Sequence, residues 1–140
     1  MHEGSIKIRI TPKVKEIERL TRLVRQFGEL HEIPSRALYS INLALDEMVT
    51  NVVLHSVAGT SAHPGVDISI KTESQQLVAT VTDSGQEFDP LQVPAPDLNA
   101  PLAERKVGGL GIHLVRSLMD AVEYAREGDK NVLTLRKRIR

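Results

Sequence analysis

Hydrophobic and polar residues alternate at the start of the chain and then change period. The segment Ser5–Ile10 alternates isoleucine with polar or basic residues, which predicts a strand with one buried face. After Pro12 the apolar residues recur at helical spacing and predict an amphipathic helix through Ile17, Leu20, Val24 and Phe27. Pro34 and Ser35 are typical of a helix start. They predict a second helix to about His55, with an apolar seam of Ile41, Leu45, Met48 and Val52.

Two hairpins and one more helix are predicted in the second half. An antiparallel hairpin is predicted over 66–81. Apolar and polar residues alternate over 66–71, a polar turn follows over 72–75, and 77–81 form an apolar run. The segment from Pro90 to Val107 contains four prolines and no clear period. We expect a loop there, and long loops inside a compact domain often act as lids. Gly111–Met119 is predicted to be a short helix, followed by a hairpin of 122–126 and 132–137 that turns at Gly128 and Asp129.

This order of elements is not the strict alternation of a doubly wound sheet. It predicts an α+β fold, a two-layer sandwich in which a mixed, mostly antiparallel sheet of about five strands carries three helices on one face. With 140 residues, 41% of them hydrophobic, we expect a single domain over 1–140.

Composition narrows the classes of partner. Eighteen basic residues balance eighteen acidic ones, and aromatic residues make up 3% of the chain. Neither feature favours direct nucleic-acid binding. We find no apolar run long enough to span a membrane and no signal peptide, and cysteine is absent. We therefore expect a cytoplasmic protein.

Glu47 and Asn51 are the most informative pair for chemistry. At about 100° per residue they fall on one flank of the apolar seam, and Asp46 falls on the other. A carboxylate and a carboxamide one turn apart can orient a hydroxyl and hold a hard cation. The alternative interpretation is a pair of ordinary solvated helix residues.

Two glycine-containing turns add to this pair. Asp83, at a strand end, can accept a hydrogen bond from an exocyclic amine, and Gly85 lets the backbone approach a flat ring; a simple turn would have the same composition. Gly108, Gly109, Leu110 and Gly111 precede a helix whose backbone N–H groups could face phosphate. This turn matches neither the Walker nor the dinucleotide fingerprint.

Three segments resemble motifs of the GHKL, or histidine kinase-like, ATPases. Residues 45–53 resemble the N box, 83–90 the first glycine box and 108–116 the second. Within this superfamily the chain is most similar to the RsbW-like anti-sigma factor serine kinases. The motifs that carry this similarity are the Asp46-Glu47 pair, the Phe-Asp-Pro at 88–90 and the segment 114–120. The resemblance covers nearly the whole chain and implies the histidine kinase-like ATPase fold, with ATP and Mg²⁺ as cofactors.

Residue roles follow from this resemblance. It implies that Glu47 is the general base, Asn51 the Mg²⁺ ligand and Asp83 the reader of the adenine amino group. Gly85, Gly108, Gly109, Leu110 and Gly111 would bind the nucleotide, with Arg105 in the lid neutralising charge on the transferred phosphoryl group. Where the family has a closing Gly-Thr motif this chain has residues 131–134, so Thr134 is the candidate for the adenine side. Glu87 stands where the first glycine box usually has a second glycine.

The function implied by the resemblance is an ATP-dependent serine/threonine protein kinase and anti-sigma factor-like regulator. Its partners would be a sigma factor and a STAS-type anti-anti-sigma protein that it phosphorylates, and it would form a homodimer. A non-catalytic, ATP-gated protein-binding switch is the alternative, and an interaction domain with a degenerate pocket is a third possibility.

Overall fold

The computed structural model describes residues 4–11, 13–52, 65–92 and 109–139. Within them the chain forms five strands and three helices, which confirms the predicted α+β class. The strands are β1 Ser5–Ile10, β2 Val66–Glu73, β3 Gln76–Asp83, β4 Ala121–Glu127 and β5 Lys130–Arg138. The helices are α1 Val14–Leu30, α2 Ser35–Asn51 and α3 Gly109–Leu118.

The five strands form one sheet in the order β1-β2-β3-β5-β4. Each of the four neighbouring pairs is antiparallel, so the parallel pair that a mixed sheet would contain is not found in the described part of the chain. The central strands β3 and β5 are neighbours although α3 and β4 lie between them in sequence. Their register pairs Asp83 with Asn131.

Alternation along the strands divides the sheet into two unlike faces. One cross-strand row consists of Ile8, Ile68, Val81 and Leu133, all buried, and this face belongs to the same core as α1, α2 and α3. The next residue on each strand points to the other face, where Lys7, Ser69, Thr80 and Thr134 form a polar row. The helices therefore cover one face, as the sequence predicted.

Tight turns close both hairpins. Ser74 and Gln75 have φ of 49° and 65° between β2 and β3, the left-handed backbone of a two-residue hairpin turn. Gly128, with φ of 61°, begins the turn between β4 and β5, where the sequence placed it. The segment predicted to be a loop differs at its start, because Pro90–Gln92 forms a single 3₁₀ turn; Pro is well suited to a first helical position. No helix in the described ranges is long and apolar enough to cross a membrane.

Candidate functional site

The C-terminal half of α2 carries the two polar residues singled out in the sequence. The buried face of this half includes Leu45, Met48 and Val49. Asn51 is only 6% exposed, while Glu47 is partly buried and Asp46 is exposed. Both Glu47 and Asn51 were expected to border the core; Asn51 lies further inside than that expectation because it follows Met48 by one turn on the same buried side.

The carboxamide of Asn51 is poorly satisfied. Its Nδ2 is buried and has no hydrogen-bond partner among the described residues. A buried polar group left in this state costs about 1–3 kcal/mol, so the position calls for a partner such as a water molecule, an ion or a ligand. Rotation of the carboxamide by half a turn exchanges nitrogen and oxygen, and either a donor or an acceptor can therefore face the cavity.

This environment fits Mg²⁺ better than it fits a cation held entirely by protein. The described residues contain no cluster of three or more His, Cys, Asp or Glu side chains that could hold a metal. Mg²⁺ commonly takes few protein ligands and completes its octahedron with substrate phosphates and water. The amide oxygen of Asn51 is suited to be one such ligand.

The side chain of Glu47 extends toward the start of α3. A Cβ atom added at Gly111 would overlap Glu47 Oε2 and would lie 3.3 Å from its Cδ. Glycine at this position therefore leaves the space that the carboxylate occupies. Burial raises the pKa of Glu47, and the negative charge of Asp46 raises it further; a carboxylate of higher pKa is a stronger base.

Asp83 ends β3 on the helix-facing side of the sheet and is 3% exposed. Its Oδ1 accepts hydrogen bonds from the backbone N–H of Gly85 at 2.9 Å and from Asn131 Nδ2 at 3.1 Å. The first bond shapes the turn after the strand, and the second connects Asp83 to β5. The carboxylate is thus fixed at the end of the central pair of strands.

Asn51 and Asp83 border the same cavity. Its wall also includes Met48, Val52, Val81, Phe88, Pro90, Tyr124, Asn131 and Leu133. The cavity measures about 20 Å³, which is room for one water molecule, so a purine would require part of this wall to move outward. The far larger groove, about 890 Å³, lies between α1 and α2 on the opposite side of α2 and is lined by Asp46 rather than Glu47.

Three residues of the site region were not identified from the sequence: Asn131, Tyr124 and Arg126. Asn131 is directly opposite Asp83 in the β3–β5 register, and Arg126 is opposite Asn131 in β4. The signal for them is cross-strand register, which a one-dimensional pattern does not supply unless the order of strands is known.

Thr134, the candidate for the adenine side, does not lie with Asn51 and Asp83 on the described cavity. Leu133 and Leu135 point into the core, so Thr134 between them faces the other side of the sheet, opposite Thr80 and Glu123. The cavity lies on the helix-facing side, where Asn131 and Leu133 contribute to it.

The remaining candidates divide into two groups. The helix α3 begins at Gly109, two residues before the predicted start at Gly111, so Gly109, Leu110 and Gly111 form its first turn. Gly85 follows Asp83 in the turn after β3. Arg105 and Gly108 lie outside the described residues, as do the predicted end of the second helix at about His55 and the predicted lid beyond Gln92.

Comparison with known proteins gives a consistent assignment. The family model of the histidine kinase-like ATPase domain matches residues 10–137. The serine/threonine-protein kinase BtrW of Bordetella bronchiseptica is 31% identical over 102 residues, which cover 72% of this chain and 70% of that protein. The serine-protein kinase RsbW of Halalkalibacterium halodurans is 34% identical over 103 residues, 69% of this chain and 60% of RsbW.

Two further similarities concern a regulator and the fold. The anti-sigma F factor of Pasteuria penetrans is 29% identical over 85 residues, 61% of this chain and 57% of that protein. The chain thus spans less than two thirds of RsbW and of the anti-sigma F factor. The crystal structure of the RsbU and RsbW domains of Rv1364c from Mycobacterium tuberculosis superposes with a TM-score of 0.69 at 15% identity, covering 96% of this chain and 32% of that one. At 15% sequence identity, this similarity shows that the two chains share a fold.

Proposed function

This chain belongs to the histidine kinase-like ATPase family, and we propose that it is an ATP- and Mg²⁺-dependent serine/threonine protein kinase that also acts as an anti-sigma factor-like regulator. The proposal is supported by its similarity to two proteins named as serine or serine/threonine kinases and to an anti-sigma F factor. The observation that carries it is the arrangement of Glu47 against Gly111 and of Asn51 and Asp83 on one cavity.

Nucleotide recognition is assigned to the ends of β3 and α3. Asp83 would accept a hydrogen bond from the adenine amino group, with the Gly85 backbone close to the ring. The backbone N–H groups at Gly109, Leu110 and Gly111 would face the phosphates, where the positive end of the helix dipole favours anions. Gly108 and Arg105 belong to the same proposal, Arg105 as a cation near the transferred phosphoryl group.

Asn51 would hold Mg²⁺ through its amide oxygen. A Mg²⁺ ion held there would supply positive charge against the negative charge that develops during phosphoryl transfer. Asn51 also lies one helical turn from Glu47 on α2, so a group held by Asn51 would be near the base.

Glu47 would act on the incoming hydroxyl group. It would accept the proton as the serine or threonine oxygen of the partner forms a bond to the γ-phosphorus and the bond between that phosphorus and the ADP oxygen breaks. ADP then leaves with the electron pair of the broken bond. The raised pKa of Glu47 supports this role, since a general base works best when its pKa approaches the operating pH.

The substrate and partners are proposed by analogy with the relatives. We assign a STAS-type anti-anti-sigma protein as the phosphate acceptor and a sigma factor as the protein that the chain restrains, both in the cytoplasm. We also propose that the chain acts as a homodimer. The kinase and anti-sigma roles are supported by the names of relatives that the chain only partly spans, and the STAS-type acceptor, the homodimer and the cytoplasmic location rest on the family resemblance.

A transfer assay tests the proposal directly. The purified chain is incubated with γ-³²P-labelled ATP, Mg²⁺ and candidate STAS-domain proteins, and label on serine or threonine is measured beside ADP binding by calorimetry. We expect Mg²⁺-dependent label in the acceptor. Adenine-nucleotide binding without transfer to any acceptor would instead support the ATP-gated binding switch, and failure to bind nucleotide would reject both functions.

A further inference from the structure

Asn131 is the most completely bonded polar side chain in the described site. It is 4% exposed and lies at the start of β5, opposite Asp83. Its amide nitrogen uses both hydrogens: Nδ2 donates to Asp83 Oδ1 at 3.1 Å and to the backbone carbonyl of Gln86 at 2.8 Å. One amide group therefore holds the end of β3 and the turn that follows it.

The oxygen of the same side chain connects two further segments. Asn131 Oδ1 accepts hydrogen bonds from the backbone N–H of Phe88 at 3.2 Å, from the Tyr124 hydroxyl at 2.5 Å and from Arg126 Nη1 at 3.2 Å. Burial raises the pKa of Tyr124, with Glu87 adding to the effect, which keeps the phenol protonated as a donor. Arg126 Nη1 also donates to the carbonyl of Gly85 at 2.9 Å.

We propose that Asn131 is a positioning residue for purine recognition, which fixes the Asp83 carboxylate and the turn of residues 84–88 in the geometry that selects adenine over guanine. The inference rests on the proposed function. Asn131 acts through Asp83 and the turn, because its hydrogen-bonding capacity is already used within the protein. It is a role that the sequence pattern did not assign to this position.

The chemistry of the amide explains why asparagine is required. The position needs a donor toward a carboxylate and, at the same time, an acceptor for three donors. Aspartate has the same shape but has no hydrogen to donate when ionised, and it would bring a second negative charge against Asp83. A threonine or serine hydroxyl offers one donor in place of two.

The choice between purines depends on this positioning. A carboxylate held in place accepts a hydrogen bond from the amino group of adenine, whereas guanine presents a carbonyl oxygen there and is repelled. If the carboxylate and the adjoining turn are released, affinity for adenine falls while the already weak binding of guanine changes little. Loss of discrimination is therefore the signature of a positioning role, and a general loss of stability would not produce it.

The test is Asn131→Asp in the full chain, with dissociation constants for Mg-ADP and Mg-GDP measured by calorimetry. We expect the ADP constant to rise at least about tenfold, the loss of roughly one charge-assisted hydrogen bond, while the GDP constant stays within about twofold. Asn42→Asp on α2 is the matched control, since it makes the same chemical change in the α1–α2 groove away from the cavity. It should leave both constants unchanged.

A second variant keeps the test decisive if Asn131→Asp does not fold. Tyr124→Phe removes one donor to Asn131 Oδ1 and retains the ring in the cavity wall. We expect a severalfold weaker ADP affinity with GDP unchanged. If the folded variants keep the ADP affinity of the wild type and its preference for ADP over GDP, the role of Asn131 is overturned. The proposed function would not be affected by that result. Wild-type protein that binds neither nucleotide would overturn the proposed function together with this inference.

Discussion

The carboxylate of Glu47 occupies the space beside Gly111 that any larger residue would fill. The general-base candidate on α2 and the glycine in the first turn of α3 are thereby coupled, since the position of one depends on the smallness of the other. The coupling joins two segments that are far apart in sequence and that the resemblance treats as separate motifs.

Gly111→Ala should separate activity from stability. The added methyl group would displace the end of a flexible side chain, and alanine stabilises a helix by about 1 kcal/mol relative to glycine, so we expect thermal stability equal to or above that of the wild type. Phosphate transfer should fall by at least about tenfold, because the carboxylate is moved. Transfer rates and thermal melts of Gly111→Ala and of Ser117→Ala, an exposed control on the same helix, check this. Unchanged transfer would show that the position of Glu47 is not critical.

Glu47→Gln should bind ADP normally and fail in transfer. The amide keeps the size of the side chain and cannot accept the proton, so the rate at saturating ATP should fall by about 10²–10⁴-fold. Glu29→Gln, the same chemical change at an exposed position on α1, is the matched control and should retain most of the activity. Full transfer by Glu47→Gln would remove Glu47 from the role of base.

The pH dependence of stability should report the raised pKa of Glu47. Because burial and Asp46 disfavour its anion, the native state binds the Glu47 proton more tightly than the unfolded chain does. The stability that this gives is present below the ordinary pKa of 4.5 and is lost as pH rises through the higher native value. The free energy of unfolding of Glu47→Gln relative to the wild type should therefore increase between pH 4 and pH 7.

Urea titrations at several pH values measure this difference. Glu29→Gln, exposed on α1, is the matched control and should not show the same rise. A difference between Glu47→Gln and wild type that stays constant with pH would contradict the direction of the shift.

Asn51→Leu should lower the affinity for Mg²⁺ and raise the stability of the protein. Leucine has the same branching and the same number of non-hydrogen side-chain atoms, and it removes the amide nitrogen that lacks a partner among the described residues, so we expect about 1 kcal/mol more stability, or about 3–5 °C in Tm. ADP affinity should no longer depend on Mg²⁺. Calorimetry with and without Mg²⁺ tests this, with Asn42→Leu as control. Persistence of the Mg²⁺ effect would exclude Asn51 as the ligand.

Asp83→Asn should shift purine preference. The amide oxygen can still accept from Gly85 and Asn131, which favours an intact turn, but an N–H group would now be available toward the purine. We expect ATP affinity to fall at least about tenfold and the ratio of ATP to GTP affinity to fall with it. A competition assay with both nucleotides measures the ratio; an unchanged ratio would contradict adenine recognition by Asp83.

Periodicity predicted most of the fold because each element buries one face. The strand Ser5–Ile10 was predicted with the bounds that the structure gives, since its isoleucines occur at every second position. The order of strands could not be predicted, because the pairing of β3 with β5 joins residues separated by a helix and a strand. For the same reason Asn131 was missed, as its importance depends on facing Asp83.

The two other differences have local explanations. Thr134 was inferred from the place of a family motif, although the apolar neighbours Leu133 and Leu135 already indicated that it faces away from the helices. The burial of Asn51 was underestimated because the helical angle gives a direction from the axis but not the depth of the neighbouring layer. Its unsatisfied amide could be recognised only from three-dimensional contacts.

The bond between Asn131 and Asp83 spans 48 positions along the chain, and this separation has a consequence for folding. The side of the cavity formed by Asp83 and Asn131 cannot be organised by any local segment, so it exists only after the last two strands have joined the sheet. Nucleotide would then bind the finished domain and none of its precursors, and by mass action it would protect that domain against unfolding and proteolysis. The cellular level of ATP would in this way influence how long the protein persists, apart from any phosphate it transfers.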